Sequence, residues 1–221
     1  RVRTMKVFTA ASVLLLLGLV ACAYGHASSW LVYAEMQNSD IVTYMNSTVV
    51  VPPAPMKNGG SPAFWPGIED AAESSVIQPI LKWTGNHWYI FNEYVTPQGR
   101  DFQTFHYRVL PGDTIFMEIS YFSSNSSYVM VVRSKDTGYS NYQSYTPEAG
   151  YLYTDAYFSM EHQPLSCNQY PPSNNITFFD TNLSVGGSPV VPQWTTGEVN
   201  PACDSTVDVI SPTTVQFLWE S

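Results

Sequence analysis

Long stretches of this chain alternate apolar and polar residues with a period of two, and clusters of Gly, Pro, Asn and Ser interrupt them roughly every eight to twelve residues. A period of two places successive side chains on opposite faces of a pleated strand, so each stretch can bury one face and keep the other for polar work. The stretches are rich in Tyr, Phe, Val, Ile and Thr, whose branched or aromatic side chains suit a half-buried pleated surface. Little reads as helix. The pattern predicts an all-β protein folded as a two-sheet antiparallel sandwich. Strands are expected over Trp30–Tyr33, Ile41–Val51, Ala63–Ile68, Ser75–Trp83, His87–Val95, Thr104–Val109, Thr114–Phe122, Tyr128–Arg133, Tyr153–Glu161, Asn175–Phe179, Val207–Ile210 and Thr214–Trp219. Leu110-Pro111-Gly112-Asp113 reads as a turn between two of them, and Asn125-Ser126-Ser127 as the close of a hairpin. Segments 52–62, 164–174 and 186–203 hold much of the Pro and Gly and read as surface loops. No repeat or interdomain linker is visible, so residues 26–221 are expected to form one domain.

The first residues carry a different signal. Arg1, Arg3 and Lys6 precede an apolar run from Val13 to Val20 and the small residues Ala21, Cys22 and Ala23, the layout of a secretory signal peptide over residues 1–25 with Met5 as initiator. The run is too short to span a bilayer. Leu19-Val20-Ala21-Cys22 also fits a bacterial lipoprotein box, with Cys22 lipidated, but Asn46, Asn125, Asn175 and Asn182 all stand in N-x-Ser/Thr glycosylation acceptors and favour a secreted glycoprotein. Secretion to an extracellular or acidic lumenal compartment is therefore expected, with no stable membrane partner and a monomeric state. Nine Lys/Arg stand against eighteen Asp/Glu, and three of the nine lie in the leader, so the mature chain carries a formal charge of about −12. Nucleic acid is excluded as a partner, because phosphate binding needs a basic face. Such a balance suits an acid medium, where carboxylates are neutral and their mutual repulsion is relieved. Cys167 and Cys203 remain after the leader, and an even pair in a secreted chain is expected to form a disulfide.

Two segments about eighty residues apart carry the chemistry. The first is Phe64-Trp65-Pro66-Gly67-Ile68-Glu69, continuing to Val76-Ile77-Gln78, with Trp83 five residues further on. The second is Asp155-Ala156-Tyr157-Phe158-Ser159-Met160-Glu161, whose alternation sets Ala156, Phe158 and Met160 on one side and Asp155, Tyr157, Ser159 and Glu161 on the other. Together they resemble the glutamic peptidases of the eqolisin family, peptidase family G1, whose signature is a W-x-G-I-D turn, a Gln at the end of a following apolar strand and an E-[FW]-I-x-E strand. Phe91-Asn92-Glu93-Tyr94 stands where that family has W-Y-E-W, Pro111-Gly112-Asp113-Thr114-Ile115 matches its x-G-D-x-I turn, Thr137-Gly138 its T-T-G hairpin, and Cys167 follows Glu161 at nearly the family's distance. The resemblance covers about residues 40 to 180. It implies a concanavalin-like jelly roll of two packed antiparallel sheets, with Gln78 and Glu161 as the catalytic dyad on the concave sheet and a polypeptide as substrate. Three positions depart from the family pattern: Tyr157 replaces the Glu that opens the second motif, Glu69 replaces an Asp, and the step from Glu69 to Gln78 is one residue shorter.

A carboxylate and a side-chain amide suffice for peptide hydrolysis. An ionised Glu161 takes a proton from a bound water and later returns it to the departing amine, while Gln78 holds the water and donates an N–H to the developing oxyanion. Glu161 needs hydrogen-bond donors to stay ionised in acid, and Gln78 is expected to be one. Trp65, Glu69, Trp83, Phe91, Glu93 and Tyr157 are expected to bind substrate, with Glu69 and Glu93 also placed to orient Gln78. From pattern alone, Glu161 reads equally as a solvated carboxylate at a strand end, Gln78 as a loop-satisfying amide before Pro79, and the aromatics as core. Two other functions fit such a sandwich: a noncatalytic carbohydrate- or cell-wall-binding protein, and a glycoside hydrolase pairing Glu161 with Glu93, which needs two carboxyls roughly 5–10 Å apart. Asp136-Thr137-Gly138 spells an aspartic-peptidase triplet but follows Arg133, Ser134 and Lys135 and reads as a hairpin turn. There is no G-x-S-x-G, H-E-x-x-H or phosphate loop. His87, His106 and His162 lack metal-ligand spacing and read as scattered surface residues, so neither metal nor cofactor is expected.

Overall fold

Strand after strand, the apolar alternation is satisfied by one shared core between two sheets. The computed structural model describes residues 30–161, 167–199 and 202–220. The expected leader, residues 1–25, and His162 lie outside the described residues. The strands are β1 (Trp30–Met36), β2 (Val42–Val50), β3 (Ala63–Asp70), β4 (Val76–Trp83), β5 (Trp88–Val95), β6 (Asp101–Gln103), β7 (Tyr107–Val109), β8 (Thr114–Phe122), β9 (Ser127–Ser134), β10 (Ser140–Tyr145), β11 (Tyr153–Glu161), β12 (Asn175–Val185), β13 (Ser188–Val190), β14 (Thr195–Glu198), β15 (Thr206–Ser211) and β16 (Thr214–Leu218). The first sheet runs β14-β1-β11-β3-β4-β5-β6, with β7 also paired to β5; the second runs β10-β9-β8-β2-β12-β16-β15, with β13 paired to β12. The order interleaves strands distant in sequence, as a jelly-roll sandwich requires. Among the described residues no helix is long and apolar enough to cross a membrane.

The core lies where the two inner faces meet. Phe64, Ile68, Ile77, Leu81, Trp83, Trp88, Ile90, Ala156, Phe158 and Met160 of the first sheet pack there against Met45, Val49, Ile115, Met117, Met130, Val132, Phe178 and Phe217 of the second. Alternation sends the neighbours of these residues to the outer face of the first sheet, where Trp30, Ala63, Trp65, Val76, Ile80, Phe91, Val95 and Tyr157 form a second apolar cluster. That outer cluster marks a strand face with more to do than meet solvent.

The turns obey local chemistry. Asp113 N donates to Leu110 O at 3.0 Å while Gly112 takes φ +93°, the left-handed conformation that position requires. Asp136-Thr137-Gly138 is the β9–β10 turn, as expected. Five elements depart from the sequence reading. β6 and β10 are edge strands whose exposed residues show no apolar alternation. β12 runs six residues further than expected because Asp180, at φ +56°, accompanies a register shift between Phe179 and Asn182, after which alternation resumes at Leu183. Segment 186–203 holds β13 and β14, and Pro189 and Gly197 are tolerated because both strands lie at sheet margins. A disulfide joins Cys167, in a short 3-10 turn, to Cys203 ahead of β15, with Cα atoms 5.2 Å apart.

Candidate active site

Register assembles the site. Across the β11–β3 ladder, Glu161 pairs with Ala63, Ser159 with Trp65, Tyr157 with Gly67 and Asp155 with Glu69. On the other edge of β3, the pairs Phe64–Leu81 and Ile68–Ile77 set Gln78 beside Gly67. Gln78 pairs in turn with Glu93, and Glu93 with Gln103. Every one of these side chains points to the outer face, because the intervening residues fill the core. Gln78 and Glu161, brought from strands eighty-three residues apart in number, therefore share one surface of one sheet.

The indole of Trp65 links the two. A Cβ on Gly67 would stand 2.8 Å from Trp65 Cζ3 and 2.9 Å from Cε3, so the ring lies over the bare backbone of Gly67, beside Gln78. Its other end reaches Glu161, where Nε1 donates to Oε2 at 3.1 Å. Trp30 meets Trp65 edge-on at 5.0 Å and Tyr157 at 5.3 Å, fixing the indole from the far side.

Gln78 is only 4% exposed, and its Nε2 donates to Glu93 Oε2 at 2.6 Å. Its Oε1 is buried and has no hydrogen-bond partner among the described residues. A buried amide oxygen left unpaired costs about 1–3 kcal/mol, so this one is held in place by its anchored nitrogen rather than by its own bonding. The amide thus keeps a carbonyl acceptor and a second N–H in reserve. Glu93 Oε1 also accepts from Gln103 Nε2. Burial raises the Glu93 pKa above the ordinary glutamate range; the two amide donors oppose that rise, and the charges of Asp101 and Glu161 add to it.

A second group of acids lies along the same face. Glu69, 3% exposed, is pushed well above the ordinary glutamate pKa by burial first and then by Glu73, Asp70, Asp155 and Glu161. Asp155 is also raised by burial, against the donors Thr154 Oγ1, at 3.0 Å, and Asn38. The charge of Glu161 adds to the raised pKa of both Glu69 and Glu93. No group of His, Cys, Asp and Glu able to hold a metal occurs among the described residues.

Several expectations need correction. Trp83 is five residues from Gln78 and so faces the opposite way; it lies in the core against Trp88, ring centroids 5.4 Å apart, and neither is available to substrate. Trp65 Nε1 is a donor to Glu161, and the Gln78 nitrogen donates to Glu93. Trp65, Phe91 and Tyr157 do lie on the outer face but are buried. Asn46 is 9% exposed, with Nδ2 bonded to the Tyr44 hydroxyl at 2.6 Å and Oδ1 accepting from Asn182 at 3.1 Å, whereas Asn125, Asn175 and Asn182 are exposed. Two residues of the site carried no sequence signal: Gln103 in a three-residue strand, and His106, whose Nε2 lies 2.9 Å from Gln103 Oε1 and whose ring stacks on Phe91 at 4.0 Å.

The Peptidase A4 family model matches residues 31–210. Among solved structures, scytalido-glutamic peptidase bound to a transition-state analog inhibitor is 22% identical, with a TM-score of 0.69 over 87% of this chain and 98% of that one. SCP-B, a member of the eqolisin family in complex with the tripeptide Ala-Ile-His, is 20% identical, with a TM-score of 0.67 over 87% and 98%. Aspergilloglutamic peptidase from Aspergillus niger is 17% identical, with a TM-score of 0.54 over 72% and 98%. No curated protein matches the chain by sequence. At these identities the solved structures establish the sandwich fold, while the family model spans most of the chain. The chain belongs to the Peptidase A4 family, the eqolisins, and is a glutamic peptidase by that membership.

Proposed function

We propose that this protein is a secreted, acid-acting glutamic endopeptidase in which Glu161 and Gln78 are the catalytic residues. Glu161 removes a proton from a water as the water oxygen attacks the peptide carbonyl carbon. The carbonyl oxygen becomes an oxyanion and accepts the free N–H of Gln78, a contribution of about 3–4 kcal/mol for one well-placed donor. As the C–N bond breaks, Glu161 returns the proton to the departing nitrogen and is restored as a carboxylate. Gln78 Oε1 orients the attacking water at the outset.

The observation that carries this reading is the bonding of Gln78: its nitrogen is anchored on Glu93, and its oxygen is unspent on the face that holds Glu161. Trp65 Nε1 donates to Glu161 Oε2 and so orients that carboxyl on the same face. Acid action is supported by Glu69, Glu93 and Asp155, whose raised pKa values make a neutral, less repulsive site the natural state at low pH. Secretion is supported by the disulfide and by the leader-like first residues.

The competing functions fit less well. A glycan platform on this face needs aromatic rings open to sugar, and the outer-face cluster Trp30, Trp65, Phe91 and Tyr157 is buried. A glycosidase pair of Glu161 and Glu93 needs a carboxyl free to give its proton to a glycosidic oxygen, and both oxygens of Glu93 are already engaged by amides. The test is digestion of a denatured protein at about pH 4, in the range where an ordinary glutamate titrates. Glu161→Gln and Gln78→Ala should each abolish cleavage while leaving the thermal transition intact; retained cleavage in either variant contradicts the assignment.

A further inference from the structure

Charge is distributed unevenly along the strands of the first sheet. Antiparallel register lays its outer-face side chains out in rows, and the row through Gln78 reads Tyr157, Gly67, Gln78, Glu93 and Gln103. Two residues along in one direction the row is acidic: Asp155 and Glu69, then Val76, Val95 and Asp101. Four residues along in the other direction the row carries cations: Glu161, Ala63, Lys82, Tyr89 and Arg108. We propose that Lys82 and Arg108 form a carboxylate-binding subsite at the Glu161 end of this face, taking an Asp or Glu side chain or the terminal carboxylate of the peptide substrate. The inference rests on the reading of this face as the peptidase site and adds a residue preference that Gln78 and Glu161 do not themselves supply.

Both cations point outward because their neighbours do not. Leu81 and Trp83 take the places on either side of Lys82 in the core, and Val109 follows Arg108 into it. Tyr89 stands between the two, so their Cα atoms are two strand spacings apart, about 10 Å. Each carries its charge at the tip of a long flexible stem, so one anion lying over Tyr89 can meet both. Neither has an ion-pair partner among the described residues. Acids outnumber cations eighteen to six after the expected leader, yet none is set against this pair. Glu161, the acid of the same row, stands two strands from Lys82 and turns Oε2 to Trp65. The other titratable groups in this corner add no negative charge: His106 lies 6.3 Å from the Tyr89 ring and His87 lies 6.4 Å from it. Cations gathered in this way repel one another until an anion joins them.

Acid sharpens the contrast. At the far end burial, with neighbouring acids adding to it, holds Glu69 and Asp155 above their ordinary pKa values, so they are neutralised early as pH falls. Lys82 and Arg108 keep their charge throughout that range. His106, lowered by burial first and then by Lys82, gains its own charge only in the acid range and adds to theirs. The cations are then the main fixed charge that a substrate meets on this face, and a substrate carboxylate is drawn to them. Lys82 lies four residues along β4 from Gln78, about 13 Å, a span that an extended peptide covers in about four residues. The preference should therefore fall on a position within that distance of the bond that is cut.

The test is hydrolysis of internally quenched peptides that carry Asp in place of Asn at one position, scanned over about four positions on each side of the bond cut, each with a free or an amidated C-terminus. At about pH 5, where a substrate Asp is ionised, Asp at one position should raise kcat/KM about tenfold over Asn, the scale of a hydrogen bond to a charged group, and chiefly through KM. The ratio should shrink as pH falls to about 3 and the Asp takes up its proton. Lys82→Met and Arg108→Gln should each collapse the ratio, and Lys82→Arg should restore it. Arg100→Gln, which removes a cation beside Asp101 at the acidic end, should keep it. The ratio is internal to each variant, so a general loss of activity cancels. Peptides that ignore Asp but lose about tenfold on amidation identify the chain end as the source of the carboxylate and equally support the subsite. No preference for either carboxylate, or one that survives the loss of both cations, overturns it. A protein that cleaves none of the peptides defeats the proposed function instead. Calorimetry of the amidated Asp and Asn peptides then reads the subsite without turnover: tighter binding of Asp that Lys82→Met abolishes supports it, and equal binding overturns it.

Discussion

Gly67→Ala is the smallest change that reaches both proposed catalytic groups at once. The new Cβ would stand 2.8 Å and 2.9 Å from two ring atoms of Trp65 and 3.1 Å from the carbonyl oxygen of Ile77. Carbon–carbon contacts are comfortable at about 3.5–4.0 Å, so something must move by about 0.7 Å or more. Ile77 cannot retreat, because its backbone is paired with Ile68 on β3 and Tyr94 on β5. The indole must yield. A shift of that size takes the bond from Trp65 Nε1 to Glu161 Oε2 from 3.1 Å to beyond useful range. Forced overpacking costs about 1–3 kcal/mol of stability, or about 2–12 °C in Tm for a chain of this size. Loss of a hydrogen bond to a charged group costs about 1.5–3 kcal/mol, and the low end applies to the half-buried Glu161, which gives a fall in kcat of about tenfold. Thermal unfolding and steady-state hydrolysis of a fluorogenic peptide measure the two effects on one preparation. A variant with wild-type kcat, whether or not it is destabilised, refutes the role assigned to the indole.

The acids on the outer face predict a reversed pH dependence of stability. A buried carboxyl with a raised native pKa binds its proton more tightly folded than unfolded, so its stabilisation is full below the unfolded value of about 4.3 and declines as pH rises toward the native value. Tm should therefore fall between about pH 4 and pH 7, and Glu69→Gln should flatten that fall; a Tm that rises over this range contradicts the burial of Glu69. The disulfide closes a 36-residue separation, for which chain entropy predicts about 3–4 kcal/mol. The double variant Cys167→Ser with Cys203→Ser should accordingly melt about 10 °C lower, and an unchanged Tm contradicts that account. Glycopeptide mass spectrometry of protein from a eukaryotic host should find Asn46 unmodified, because both ends of its side chain are bonded inside the second sheet; a glycan there in folded protein contradicts the packing around Tyr44 and Asn182.

How far the site was legible follows from how local its causes are. Strand β11 was readable residue by residue, because period two sorts Ala156, Phe158 and Met160 from Tyr157, Ser159 and Glu161 without reference to anything else. The same parity, counted from Gln78, puts Trp83 in the core, and its assignment to the substrate face ignored that count. Gly67 stood in the motif, but its purpose depends on where the Trp65 ring falls, which only packing decides. Gln103 and His106 were out of reach because a three-residue edge strand has no periodicity and its partner lies across a turn. The burial of Asn46 was not legible, because its amide is bonded by Asn182, which follows the register shift at Asp180.

The most direct measurement is a crystal structure of the protein at acid pH with a peptide that carries a stable tetrahedral centre in place of its scissile carbonyl. The account predicts the centre between Gln78 and Glu161, with one oxygen accepting from the Gln78 amide and the other within hydrogen-bond distance of the Glu161 carboxyl, while Trp65 Nε1 and Glu93 keep their present partners. A centre that touches only one of the two, or a peptide bound away from this face, contradicts it.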